Sequence, residues 1–211
     1  MKSETLFMNI STDQIIISDG EINIFLNRND VEKVLWPKLV QLFSGWNYKN
    51  IIVLNWPWGF TNLRVWTLCI NILNAVMEKQ INVYDISKID LYKKAYEQWL
   101  LPKLGVIYIG QKRNVWLWDF WKWEKIWQYS FDELKENLDW QLFLDEVVDD
   151  NYYPEWINEY IKIKVTFDWD NLNVDYLNKM IKFCVNDLGI NPIKTITPNY
   201  MMDPSITITN R

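Results

Sequence analysis

Histidine is absent from this chain of 211 residues. That removes the commonest general base and the commonest zinc ligand together. Glycine is scarce, with 6 residues where an average chain of this length carries roughly 15. The two cysteines, Cys69 and Cys184, are far apart, in helix-like stretches without metal-ligand spacing. Such thiols are expected to be buried and reduced in a cytoplasmic protein, not part of a disulfide scaffold. No run approaches the roughly 18 apolar residues of a membrane span. The opening MKSETLFMNISTDQ has no apolar core of a secretory signal, so a cytoplasmic location is expected. Basic residues are outnumbered 27 to 22, for a net charge of −5. That balance argues against a free-standing nucleic-acid binder, which carries a basic face.

What is present is ordinary for a globular chain except in one respect. Hydrophobic residues make up 49% and charged residues 23%, enough for a core in one or two domains. Tryptophan, at 14 residues, is the exception. Indoles belong in cores and interfaces, yet here they fall where turns are expected. Trp56 and Trp58 flank Pro57 after an apolar run, Trp46 follows Gly45, and Trp121 and Trp123 sit at the polar centre of DFWKWEK. Trp140 follows Asp139, and Trp169 lies between Asp168 and Asp170; Asp-Gly is a strong turn signal, Asp-Trp is not. Replacing every Trp by Gly restores the usual glycine share and gives the loops residues that tolerate positive φ. Some bacterial lineages read UGA as glycine, so these positions are expected to be recoded glycines.

The patterning is that of an α/β protein. Residues 5–10, 14–18 and 21–26 read as strands, with Asp19-Gly20 as the turn between the last two. Val31, Val34, Leu35, Leu39, Leu42 and Phe43 then recur at helical spacing. Asn29 or Asp30 is placed to cap that helix, and Pro37 is expected to disturb or interrupt it. A buried-type strand at 51–55 precedes a long helix at about 62–78, a strand at 82–85 and a helix at 87–98. A second unit begins near Pro102, with strands at 105–110, 114–117, 124–128 and 142–144. Ser130 and Glu133 have capping-box spacing for a helix at 130–137. The last helix, about 173–188, ends at Gly189 and leads into an extended tail. Two lobes follow: residues 1–101, and a smaller one, 102–211, holding the last helix and the tail.

One segment is specific. Residues 55–66 read NWPWGFTNLRVW, or NGPGGFTNLRVG with glycine for tryptophan. This resembles the GPGSFTGLRIG signature of the TsaB (YeaZ) family. Pro57, Phe60, Thr61, Leu63 and Arg64 match directly, while Trp56, Trp58 and Trp66 fall on family glycines. FMNISTD at the start, the 110–127 segment and Pro198 to Tyr200 are similar to further family stretches. The resemblance implies two RNase H-like lobes of the actin-like ATPase (ASKHA) type, with mixed sheets and flanking helices. It also implies an accessory subunit of the bacterial threonylcarbamoyladenosine machinery, with catalysis in the paralogous subunit TsaD, whose metal is held by histidines. This chain, without histidine, supplies no such site, and Asn9 stands at the family's aspartate position. No catalytic residue, metal or cofactor is therefore assigned.

The chain's own task is then binding. A glycine-rich corner from Trp56, Pro57, Trp58 and Gly59 into Phe60, Thr61 and Arg64 has the geometry of an anion cradle. It is equally a plain packed turn with Arg64 in an ion pair. On the long helix Thr67, Asn71, Asn74 and Glu78 form one narrow polar stripe, so the remainder is apolar on more than one side. One side meets its own sheet. The resemblance assigns the other to a TsaD-like partner, through Val34, Leu35, Leu39, Leu42, Leu68, Cys69, Ile72 and Val76. An ATPase subunit of the same complex is a further partner, transfer RNA is met only through the complex, no membrane is involved, and a homodimer is open to the chain alone. Two other readings stand beside this one. Trp116 and Trp118 on one strand face would give a carbohydrate-binding module a flat platform. An active ATPase of the actin-like class would depend on Thr61.

Overall fold

A computed structural model describes residues 3–12, 14–27, 30–45, 48–55, 60–76, 81–108, 115–121, 126–127, 141–146, 148, 150–167 and 171–197. It is an α/β protein built on two five-stranded mixed sheets. The first contains β1 (Thr5–Asn9), β2 (Gln14–Ser18), β3 (Asn23–Asn27), β4 (Asn50–Asn55) and β5 (Asn82–Ser87), in the order β3-β2-β1-β4-β5. The second contains β6 (Leu104–Tyr108), β7 (Val115–Asp119), β8 (Ile126–Trp127), β9 (Leu142–Leu144) and β10 (Ile161–Lys164), in the order β10-β9-β6-β7-β8. In each, three strands run as an antiparallel meander, a fourth pairs in parallel with the first of them and a fifth in parallel with the fourth. The second order is the first read backwards, so the two lobes share one topology, the RNase H-like arrangement.

Alternation along the strands assigns the two faces of the first sheet. Leu6, Met8, Ile51, Val53 and Val83 face α1 (Val31–Gly45) and α2 (Phe60–Val76) in one core. Their neighbours Phe7, Ile52, Leu54, Tyr84 and Ile86 face α4 (Val174–Asn186) in another. Strands covered on both faces read as unbroken apolar runs, and Ile51 to Leu54 is such a run. The second core joins β6, β7 and β9 to Ile89 and Tyr92 of α3 (Lys88–Glu97), with Ile157 from the 3₁₀ turn Glu155–Glu159.

Several local expectations are corrected. Helix α1 runs unbroken through Pro37; both Pro37 and Lys33, whose carbonyl loses its donor, are exposed, so water takes the missing bond. The last helix does not belong with the second sheet. It packs against β1 and β5 of the first, and Ile193 extends that sheet through paired backbone bonds with Val83 at 2.9 and 3.2 Å. Asn173 caps α4 by accepting the Tyr176 N–H at 2.9 Å. Gly20, at φ +84°, abuts the start of that helix, where a Cβ would run into the backbone of Asn173 and Val174. The expected helix at 130–137 lies outside the described residues.

Helix α3 ends in a way the sequence does not announce. The Leu100 N–H bonds the Ala95 carbonyl and the Trp99 N–H bonds that of Tyr96, both at 2.9 Å. This is a Schellman motif, and its left-handed position is normally glycine. Trp99 occupies it at φ +59° with 91% of its surface exposed. Among the described residues it is the single non-glycine with positive φ.

Candidate functional site

The described part of the polar stripe on helix α2 turns toward the protein; Glu78 lies outside the described residues. Thr67 is buried, and Asn71 and Asn74 are half-covered. Asn71 grips the backbone of Ile196 from both sides, its Nδ2 donating to the carbonyl at 3.0 Å and its Oδ1 accepting the N–H at 2.8 Å. Asn74 donates to the Lys194 carbonyl at 2.7 Å and accepts the Ile81 N–H at 3.1 Å. These amides anchor the C-terminal segment, whose Ile196 side chain fills the core between α1, α2 and the sheet.

The outward row is apolar instead. Leu68 is 59% exposed and Val76 73%, with Ile72 also exposed between them. Residues four apart share a helix face, and one turn before Leu68 the same row begins with the exposed Arg64. Helix α1 packs beside α2 and shows an apolar row of its own, Val34, Pro37 and Val40, at spacings of three. Of the remaining residues expected at an interface, Leu35, Leu39, Leu42 and Cys69 are buried in the first core. Leu35 and Leu39 are fully covered by their own chain. The available surface is thus Val34, Leu68, Ile72 and Val76.

The corner that opens α2 falls largely outside the description. Trp56, Pro57, Trp58 and Gly59 are not among the described residues; Phe60 and Thr61 lie in the helix's first turn. The end of β4 that feeds this corner is described. Asn55 and Asp85 lie on one face of neighbouring strands. Burial pushes the Asp85 carboxyl up to about 6, against a smaller lowering by the Asn55 amide. Nothing in the letters around it marks this acid, the one carboxylate in β5. On the opposite face at the end of β1, Asn9 Oδ1 accepts the Ser11 N–H at 2.8 Å and its hydroxyl at 2.7 Å, and its Nδ2 is buried without a partner.

A second cluster went unread in the sequence because its members are far apart. Lys88, the first residue of α3, pairs with Asp145 at 2.6 Å and Glu146 at 2.9 Å, just past β9. Tyr92 donates to Asp145 at 2.6 Å, and desolvation followed by the Asp145 charge holds its phenol well above the usual value. Lys88 and Asp145 side chains have no solvent exposure. A substrate has no access to them, so the cluster is a tie between the lobes. Both cysteines are buried free thiols, and burial raises Cys184 to about 11 and also raises Cys69. At such values neither is a ready thiolate. Among the described residues no group of three His, Cys, Asp or Glu side chains is placed to hold a metal ion, and no helix is long and apolar enough to cross a membrane.

The tryptophan platform is also corrected. Trp118 is buried in the core of the second sheet, tilted against Phe120 at 6.0 Å. A flat two-indole surface on that strand is therefore not formed. Trp121 is 72% exposed at the turn after β7. Trp46, Trp56, Trp58, Trp123, Trp140 and Trp169 lie outside the described residues.

No protein-family model matches the sequence, and no curated protein sequence matches it either. Solved structures do. YeaZ from Pseudomonas aeruginosa superposes with a TM-score of 0.50 at 12% identity, covering 93% of this chain and 99% of its own. An uncharacterized protein described as similar to peptidase YEAZ, also from Pseudomonas aeruginosa, aligns at 11% identity with a TM-score of 0.44, covering 94% of this chain and 100% of that one. The chain has the YeaZ-like fold across nearly its whole length.

Proposed function

We propose that the chain is a non-catalytic subunit that binds and stabilises a TsaD-like catalytic partner in threonylcarbamoyladenosine modification of transfer RNA beside the anticodon. An ATPase subunit of the same complex is a second partner, and transfer RNA is reached through the assembly. The observation that carries this reading is the solvent-facing row Leu68, Ile72 and Val76. It lies on the helix opened by the TsaB-like signature, within a YeaZ-like fold. A helix whose amides are spent on its own C-terminal segment, leaving aliphatic side chains outward, is built to be covered. The chain's net charge of −5 disfavours its holding a nucleic acid by itself.

Co-elution with the TsaD-like protein of the same cell on size exclusion tests it. Leu68→Glu together with Ile72→Glu is expected to weaken the complex at least about a hundredfold by burying unpaired charge at its centre. Separate elution of the unmodified pair, or a complex indifferent to the double substitution, overturns the assignment.

The signature requires glycine where the text has tryptophan, and we infer that UGA is read as glycine in the source cell. Trp99 supports this independently of the signature, since its helix end demands a left-handed residue. Trp66 and Trp118 are packed in cores and lend no such support. Trp99→Gly is expected to raise stability by about 1 kcal/mol in urea unfolding, the cost of a side chain in that conformation. No gain on substitution, or UGG at codons 56, 58 and 99 in the gene, ends the inference.

A further inference from the structure

A cavity lies between α3 and α4, where they meet the segment after β10. The cavity holds about 450 Å³ and is lined mostly by carbon, within the range of small-molecule sites. Leu54 forms part of its lining at the end of β4, with Leu91, Leu101, Phe167, Met180 and Phe183 around it. Polar groups are few: Lys94, Lys179, Gln98 and Tyr176 contribute, and none of the described lining residues is a carboxylate. Lys94 does pair with Glu97 at 3.7 Å, one turn on and half in solvent; Lys179 and Tyr176 are exposed at the lip. Lys194 and Ile196, which cover α2, lie on the opposite face of the first sheet.

We propose that the cavity is a binding site for a single-chain amphipathic anion, a medium-chain alkyl carboxylate, its tail among Leu91, Phe167, Met180 and Phe183 and its head at Lys179 and Lys94. The carbon lining selects an alkyl chain, since any unpaired polar group there would be left without partners. The Lys94 and Lys179 ammonium groups, with no acid among the described lining residues, favour a negative head over a positive one. The site stands apart from the surface on α2 and does not rest on the accessory-subunit reading.

Titration calorimetry of the whole chain at pH 7.5 with decanoate, hexanoate and decyltrimethylammonium, each below its micelle concentration, tests the proposal. Decanoate is expected to bind with one-to-one stoichiometry. Hexanoate should bind on the order of a hundredfold more weakly, from about fourfold per methylene withdrawn from water. The cationic amphiphile should show no saturable binding. Leu91→Trp, which fills the cavity, should abolish decanoate binding, and Lys179→Glu should weaken it about tenfold. Should Leu91→Trp fail to fold, the comparison of head groups and chain lengths on the unaltered protein still decides. No heat with decanoate, equal binding of the two carboxylates, or equal binding of the cation overturns the site, as does a folded Leu91→Trp that binds normally.

Discussion

Replacing Lys88 by methionine should lower the unfolding free energy by about 3–5 kcal/mol, read as a shift of the urea midpoint at unchanged slope. The size follows from what is left behind. Asp145, with no solvent exposure, would keep only the Tyr92 hydroxyl at 2.6 Å, and Glu146 would lose its ammonium partner at 2.9 Å. One Asp145 oxygen already has no hydrogen-bond donor, so the lysine is its chief compensation. The Lys88 ammonium also lies 5.7 Å from the Tyr92 ring centre and 5.8 Å from that of Phe167, which an uncharged side chain would not exploit. Lys88→Met combined with Asp145→Leu should recover a large part of the loss, because neutralising both partners removes the stranded charge as well as the pair. A single substitution costing less than about 1 kcal/mol would mean that water reaches the pair. Because Lys88 begins α3 and Asp145 follows β9, the loss should register at the junction of the lobes, with early hydrogen exchange in α3.

The first sheet was legible because its physics is local. The unbroken apolar run in β4 and the helical spacing through α1 and α2 each reflect one chain segment against one core. The same is true of the Asp19-Gly20 turn, where Asp19 Oδ1 accepts the N–H groups of Glu21 at 2.9 Å and Ile22 at 2.7 Å. What escaped depends on partners distant in sequence. Asn71 and Asn74 have the spacing of a solvated stripe, and only Lys194 and Ile196, more than a hundred residues on, turn that stripe inward. Lys88 and Asp145 are likewise separated by most of the second sheet. Strand β10, with its alternating IKIK, is too short for its period-two signal to stand out from the sequence around it. The duplicated topology leaves no repeat in the letters, since pairing order constrains which segments alternate and not which residues fill them. The TsaB-like corner shows the reverse case: its letters are specific, while Trp56 to Gly59 lie outside the described residues.

Asp85→Asn should stabilise the chain by about 2 kcal/mol at pH 7.5 and by nothing at pH 4. An unfolded aspartate titrates near 3.9, whereas burial pushes folded Asp85 up to about 6. Between those values the folded chain holds a proton that the unfolded chain has released. Stability therefore falls as pH rises through that window and stays reduced above it. The asparagine keeps an oxygen for the Asn55 amide and carries no charge to desolvate, so the fall should vanish from the variant's profile. Parallel urea titrations at pH 4, 5, 6 and 7.5 check this, and superimposable profiles would show that Asp85 ionises freely in the fold. An acid that weakens its own scaffold at neutral pH contrasts with the Lys88 cluster, where an ammonium lies against the buried carboxylates. Asp85 is also placed differently, on the strand beside the end of β4, whose next residues form the signature corner. Costly groups of this kind concentrate where binding sets the requirement and stability does not. If the corner contributes to partner binding, the stabilised Asp85→Asn chain should bind the TsaD-like partner less tightly than the unaltered chain, separating the demands of folding from those of assembly.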